Sequence, residues 1–214
     1  MERSTIAGNR SNDFLMCLLA GFSTRMGNPK QHVRIGQKTF LERIIEKGRI
    51  LNSNFCGFIF VGRENDEISK KSVIAEKWNW LENSHPEDGP LSSIRIGLST
   101  IRTGNGFWLW PVDFPLVETA TLEVLIKSSI EHKDDIVIPS YDNRRGHPAR
   151  FPAWTRKFLF EAPLEEGARW VLKKFPEKIL HVNTNDRWVV ENLNTPEALK
   201  NAEIKLNFEV DFKG

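Results

Sequence analysis

Short apolar runs alternating with amphipathic segments constrain this chain more than any other feature. The runs Phe14 to Ala20, Gly57 to Val61, Phe107 to Val112, Ile136 to Pro139 and Ile179 to Val182 are too short for buried helices, so they read as strands covered on both faces. Between them, Phe40, Ile44 and Ile45, then Leu91, Ile94, Leu98 and Ile101, then Leu122, Leu125, Ile126 and Ile130 recur at helical spacing. Repeated strand and helix predict an α/β fold with helices on both faces of a mostly parallel sheet. Such a sheet binds ligands at the carboxyl ends of its strands.

At 214 residues with 40% hydrophobic content, the chain can bury one substantial core. The polar first dozen residues read as a disordered extension, 1–12, ahead of a single domain spanning 13–214. A net charge of +2, from 30 basic and 28 acidic side chains, provides no global field for nucleic acid, which is not expected as a partner. Cys17 and Cys56 both lie in apolar surroundings without C-x-x-C spacing and read as buried thiols. The longest apolar runs fall far below the ~20 residues of a membrane helix, and the amino terminus lacks the apolar core of a secretory signal. A cytoplasmic protein with no membrane partner is therefore expected. The tail Asn207 to Gly214 alternates apolar and charged residues and reads as a late edge strand.

Four blocks carry candidate chemistry. After the first apolar run, Gly21-Phe22-Ser23-Thr24-Arg25-Met26-Gly27-Asn28-Pro29-Lys30 offers backbone N–H groups and two fixed positive charges where a polyphosphate would lie. It fits neither the P-loop pattern nor G-x-G-x-x-G, and a plain strand-to-helix turn with solvated basic residues is the alternative. Asp113, held between Pro111 and Pro115 at a strand end, suits Mg²⁺ delivery or, alternatively, the capping of a helix that begins near Thr119. Asp88-Gly89-Pro90-Leu91-Ser92-Ser93 is a glycine turn feeding a helix, whose hydroxyls either cap it or meet a base or ribose. Asp142-Asn143-Arg144-Arg145-Gly146-His147-Pro148 either clamps an acceptor phosphate or is a hairpin turn with solvated arginines.

Taken in order, these blocks resemble the MobA-like nucleotidyltransferases, the family of the molybdenum-cofactor guanylyl- and cytidylyltransferases. Its opening motif L-A-G-G-x-S-x-R-M-G-x-x-K stands here from Leu19 to Lys30, with Phe22 in place of the second glycine. The resemblance implies a Rossmann-like three-layer α/β/α sandwich of the nucleotide-diphospho-sugar transferase type. It implies Arg25, Lys30 and Asp113 as catalytic residues, and Leu19, Ala20, Gly21, Ser23, Gly27, Gly89, Ser92 and Ser93 as the nucleotide site. Asp113 corresponds to the magnesium-binding aspartate, which makes Mg²⁺ the expected cofactor. Arg145, His147 and, from Gly167-Ala168-Arg169, Arg169 fall on the acceptor side. Gly146-His147-Pro148 followed by a short strand is similar to the cytidylyl-type members, so CTP is expected ahead of GTP, with molybdopterin as acceptor and a molybdoenzyme or its chaperone as a transient partner.

The closing motif departs from the family. Relatives read D-x-D-T-P-E-D, whereas this chain has Asn192-Leu193-Asn194-Thr195-Pro196-Glu197-Ala198. Thr195 and Pro196 retain a sound helix start, and Asn194 becomes the metal ligand with a neutral oxygen unless Glu191 or Asp186 substitutes. Two alternatives follow: the same chemistry on a sugar phosphate or other small phosphate acceptor, and a nucleotide- or cofactor-binding protein that has lost turnover.

Overall fold

In the computed structural model, which describes residues 11–22 and 26–211 and side chains as far as residue 206, the apolar runs assemble into one eight-stranded sheet. In chain order the elements are β1 (Phe14–Leu18), a hairpin of β2 (Arg34–Ile35) and β3 (Lys38–Thr39), α1 (Phe40–Ile50), β4 (Gly57–Gly62), α2 (Glu67–Ala75) and β5 (Asn79–Glu82). There follow α3 (Pro90–Thr100), β6 (Phe107–Pro111), α4 (Thr119–Glu131), β7 (Ile136–Tyr141), β8 (Arg144–Arg145) and β9 (Ala149–Phe151). The last elements are α5 (Arg156–Glu161), α6 (Arg169–Lys174), β10 (Ile179–Asn183) and α7 (Pro196–Asp211).

The strand order is β10-β7-β9-β6-β1-β4-β5, with β8 attached to β7. Pairings β5-β4-β1-β6 and β7-β10 are parallel, and β9 runs antiparallel between β6 and β7. Because β9 is reversed, its first residue lies at the edge where the parallel strands end. That topology brings the residues just before β9 to the same edge as the residues just after β1, β4, β5 and β6.

The strand period of two divides the core between the two faces. Leu15, Cys17, Phe58, Phe60, Trp108 and Trp110 pack with Phe40, Ile44 and Ile45 of α1 and Leu122, Leu125 and Ile126 of α4. Met16, Ile59, Val61, Phe107 and Leu109 pack on the other face with Leu91, Ile94 and Leu98 of α3, Leu159 of α5 and Val171 of α6. The helices read from sequence periodicity therefore bury the expected stripes. α1 starts from a capping box in which Thr39 Oγ1 accepts the Glu42 N–H at 3.1 Å and Glu42 Oε2 accepts the Thr39 N–H at 2.6 Å.

Several expectations are corrected. Cys56 is exposed, because it precedes β4 at the open amino edge of the sheet, whereas Cys17 is fully buried. Ser11 and Asn12 belong to the packed structure: the Ser11 N–H donates to the Asn54 carbonyl at 3.0 Å, and the Asn12 carbonyl accepts from Asn105 Nδ2. Residues 1–10 lie outside the described residues. The alternating tail is helical through Asp211 as the end of α7, since a helix begun at Thr195, whose Oγ1 accepts the Ala198 N–H at 3.1 Å, propagates through it. Residues 212–214 lie outside the described residues. The edge strand β5 was not legible, because its Asn79-Trp80-Leu81-Glu82 is half polar.

Candidate active site at the carboxyl edge of the sheet

Lys30 and Asp113, 83 residues apart, meet as an ion pair with Nζ 2.9 Å from Oδ2. Asp113 lies two residues past β6, and several braces hold its turn. The indole N–H of fully buried Trp110 donates to the Phe114 carbonyl at 3.0 Å, and Lys47 Nζ of α1 donates to the Pro115 carbonyl at 2.8 Å. From the far side, the Leu193 N–H donates to the Asp113 carbonyl at 2.9 Å, which carries the Asn192-Leu193-Asn194 stretch to the turn. The cap expected of Asp113 falls to Asp186, whose Oδ2 accepts the Glu118 N–H at 2.8 Å ahead of α4.

His147, two residues before β9, lies over this turn with its ring centroid 4.8 Å from that of Phe114. Its Nδ1 is closed off from solvent without a partner. Burial lowers the imidazole pKa, opposed by the Asp113 charge and a hydrogen bond to the Leu109 backbone, and reinforced by the Arg169 charge. The structure thus brings Lys30, Asp113 and His147 together at one turn, and the Arg169 charge acts on the same imidazole. Arg145 sits farther out, exposed, with a guanidinium nitrogen 3.4 Å from His181 Nε2 of β10.

The opening block is only partly available to a ligand. Leu19 is buried and spends its N–H on the Val61 carbonyl at 2.8 Å, and the carbonyl of buried Ala20 accepts from Arg63 Nε at 2.9 Å. Gly21 is exposed and Gly27 takes a φ of 70°. Ser23 and Arg25 lie outside the described residues. Phe22 is 52% exposed, and the Arg63 guanidinium stacks over its ring at 4.3 Å.

Gly89 precedes α3 with φ 81° and ψ −175°, a backbone region open essentially to glycine alone. Ser92 donates to the Gly89 carbonyl at 2.8 Å and accepts from Asn83 Nδ2 at 2.8 Å. Ser93 is buried and accepts from the same Nδ2 at 2.9 Å, so its hydroxyl faces the protein interior. Asn83, the residue after β5, is the organising group here, and because β5 was not legible the sequence carried no signal for it.

Toward a divalent cation, Asp113 supplies one carboxylate, and the Leu193 hydrogen bond holds the backbone of the Asn192-Leu193-Asn194 stretch against the Asp113 turn. Mg²⁺ accepts one or two protein carboxylates plus substrate phosphates and water, so this donor set fits the ion. Of the two acidic alternatives, Glu191 pairs with Lys205 at 3.0 Å, and buried Asp186 accepts the main-chain N–H groups of Glu118 and Trp188. Among the described residues no cluster of three or more His, Cys, Asp or Glu side chains forms a self-contained metal cage.

A mostly parallel sheet with Lys30, Asp113 and a glycine-led helix near its carboxyl edge defines an α/β domain of the Rossmann-like class. The sequence matches the MobA-like NTP transferase domain over residues 16–179, and the chain belongs to that family. Among solved structures, it is similar to Rv0371c from Mycobacterium tuberculosis H37Rv, with a TM-score of 0.73 at 20% identity over 91% of this chain and 99% of that one. It is also similar to molybdopterin-guanine dinucleotide biosynthesis protein A from Archaeoglobus fulgidus, with 0.68 at 22% identity over 91% and 98%. A third is 4-diphosphocytidyl-2C-methyl-D-erythritol synthase from Anaerococcus prevotii DSM 20548, with 0.70 at 15% identity over 92% and 96%. Among curated proteins, none shows significant sequence similarity to the chain. No helix of the described residues is long and apolar enough to cross a membrane.

Proposed function

We propose that the chain transfers a nucleoside monophosphate from an NTP to a phosphorylated acceptor with release of pyrophosphate. The observation that carries this reading is the Lys30–Asp113 pair, which joins a cation suited to phosphate to a carboxylate suited to Mg²⁺ at the carboxyl edge of a mostly parallel sheet. An acceptor phosphate oxygen attacks the α-phosphorus, the α–β anhydride bond breaks, and its electron pair leaves with pyrophosphate. Lys30, with Arg25, neutralises charge on the triphosphate. Gly89 lets the backbone before α3 approach the nucleobase, and Ser92 stands beside it. His147 and Arg169 border the acceptor, with Arg145 farther out. Asp113 and Asn194 would hold Mg²⁺, which when bound supplies charge neutralisation between the phosphates. Positioning and electrostatic complementarity supply most of the catalysis in such transfers.

CTP ahead of GTP, and molybdopterin as acceptor in a cytoplasmic pathway, are supported by the Gly146-His147-Pro148 block and the family. A small phosphorylated alcohol is the second reading, supported by structural neighbours that include a 4-diphosphocytidyl-2C-methyl-D-erythritol synthase. The neutral Asn192 and Asn194 favour the third reading, a nucleotide-binding protein without turnover.

The test is pyrophosphate release from CTP and from GTP with molybdopterin, with and without Mg²⁺, for the native chain and Asp113→Asn. Metal-dependent release that falls by 10²-fold or more in the variant is expected, by analogy with the loss of one electrostatic group. Tight nucleotide binding with no release under any metal condition would leave the third reading standing. Release with a sugar phosphate or polyol phosphate, and none with molybdopterin, would select the second.

A further inference from the structure

The short connection between β4 and α2 touches both sides of the phosphate loop. On one side, Arg63 Nε donates to the Ala20 carbonyl at 2.9 Å, and the same guanidinium stacks on Phe22 at 4.3 Å. On the other, Asp66 Oδ2 accepts from Gln31 Nε2 at 2.5 Å and Asp66 Oδ1 lies 3.0 Å from His32 Nε2. Gln31 and His32 belong to the 3-10 turn Lys30–His32, whose first residue pairs with Asp113. The two grips are coupled, because the Asp66 N–H donates to the Arg63 carbonyl at 3.3 Å and closes a tight turn. Asp66 is further fixed as the N-cap of α2, where its Oδ1 accepts the Ser69 N–H at 3.1 Å.

We propose that Arg63 and Asp66 are positioning residues that act as a two-sided clamp: Arg63 fixes the strand end before the phosphate loop, Asp66 fixes the turn after it, and together they set Lys30 against Asp113. The burial of Gln31 supports this role, since its Nε2 is spent on the Asp66 carboxylate while its Oε1 is closed off without a partner among the described residues, so the Asp66 bond is what holds this buried amide. The clamp also explains the departure from the family motif at Phe22. A glycine there would leave the backbone free, whereas the aromatic ring gives Arg63 a face to stack on. The functional consequence rests on the proposed nucleotidyl transfer; the mechanical part does not.

Two readouts separate these parts. Hydrogen–deuterium exchange of the apo protein reports the clamp directly, in peptides covering residues 19–22 and 26–33. Arg63→Ala and Asp66→Ser are the variants, the serine keeping an N-cap acceptor for α2 while being too short to reach Gln31 and His32. Gln31→Met removes the Gln31 half of the second grip without touching the cap and serves if Asp66→Ser fails to fold. Exchange in these peptides should rise about tenfold, the scale of one or two lost hydrogen bonds, while the sheet strands and the thermal midpoint stay near wild type. In the activity assay, KM for the NTP should rise about tenfold with a smaller change in kcat, and Asp66→Asn, which keeps an oxygen for Gln31, should restore most of the loss. Unchanged exchange in all three variants overturns the clamp whether or not the protein turns over. Raised exchange with unaltered KM overturns its role in positioning. Raised exchange in a protein that neither binds nor consumes an NTP upholds the clamp and removes the transfer reading instead.

Discussion

Replacing Lys47 by methionine should separate stability from function. Lys47 is half-buried on α1, and its ammonium holds the Asp113 turn through the Pro115 carbonyl at 2.8 Å. Burial, reinforced by the Arg43 charge, lowers its pKa from 10.5 to about 8. At 1.36 kcal/mol per pKa unit that difference is worth roughly 3 kcal/mol. The unfolded chain holds this proton more tightly than the folded one, so the contribution is fully present above pH 10.5 and is lost as pH falls through 8. Cys17 works in the opposite direction. Burial, with the Asp113 charge added, holds its thiol far above the ordinary 9.0, so folding loses stability from this group as pH rises past 9. Wild-type stability alone therefore mixes two opposing slopes, and the difference between wild type and Lys47→Met isolates one of them. Urea unfolding from pH 7 to 10.5 should show that difference growing in favour of wild type by about 1.4 kcal/mol per pH unit above pH 8. Near pH 7 the two proteins should lie within ~2 kcal/mol of each other, because relief of the buried charge offsets a lost charge-assisted hydrogen bond of about 1.5–3 kcal/mol. Turnover should nevertheless fall, since the Asp113 turn loses a brace. A difference that stays flat across the pH range would refute the reasoning.

Two further substitutions test the packing that supports the site. Arg150 and Asp13 form a buried pair with Nε 3.0 Å from Oδ2, and Arg150 Nη1 also donates to the carbonyls of Lys133 and Asp135 at 2.6 and 3.0 Å. Asp13→Ala leaves that guanidinium uncompensated and should cost about 3–5 kcal/mol in denaturant unfolding, and a loss below ~1 kcal/mol would show the pair to be dispensable. At Gly146 an added Cβ would stand 2.3 Å from the Val189 carbonyl oxygen. Gly146→Ala should therefore cost about 1–3 kcal/mol by overpacking and displace His147, seen as a shift of its ring resonances in NMR; an unshifted spectrum would mean that the segment relaxes elsewhere.

The α/β class, the internal strands β1, β4, β6 and β7 and the three helix stripes were legible because burial on both faces demands continuous apolar runs and helix packing demands a stripe, and β10, at the other edge, was legible from its apolar Ile179, Leu180 and Val182. Edge strand β5 was illegible for the same reason, since an edge needs no continuous apolar run. Cys56 looked buried beside Phe55 and Gly57, but a strand's first residues can sit at an open sheet edge. The alternating tail was misleading because a helix already under way outweighs a weak period-two pattern.

Local motifs named Lys30, Asp113 and His147 as candidates, each from its own stretch of sequence. Arg63, Asp66, Lys47 and Asn83 carried no motif, only a position after a strand or on a helix, and their roles arise from contacts with distant turns. Patterning in the sequence by itself determined the sheet-and-helix architecture, because hydrophobic period and turn residues act over a few positions, and the family followed from the resemblance of its motif blocks. Tertiary structure alone decided that Lys30 meets Asp113, that reversed β9 delivers His147 to the same edge, and that Ser93 faces inward. Those facts depend on strand order and on hydrogen bonds between segments tens of residues apart, which no local pattern encodes.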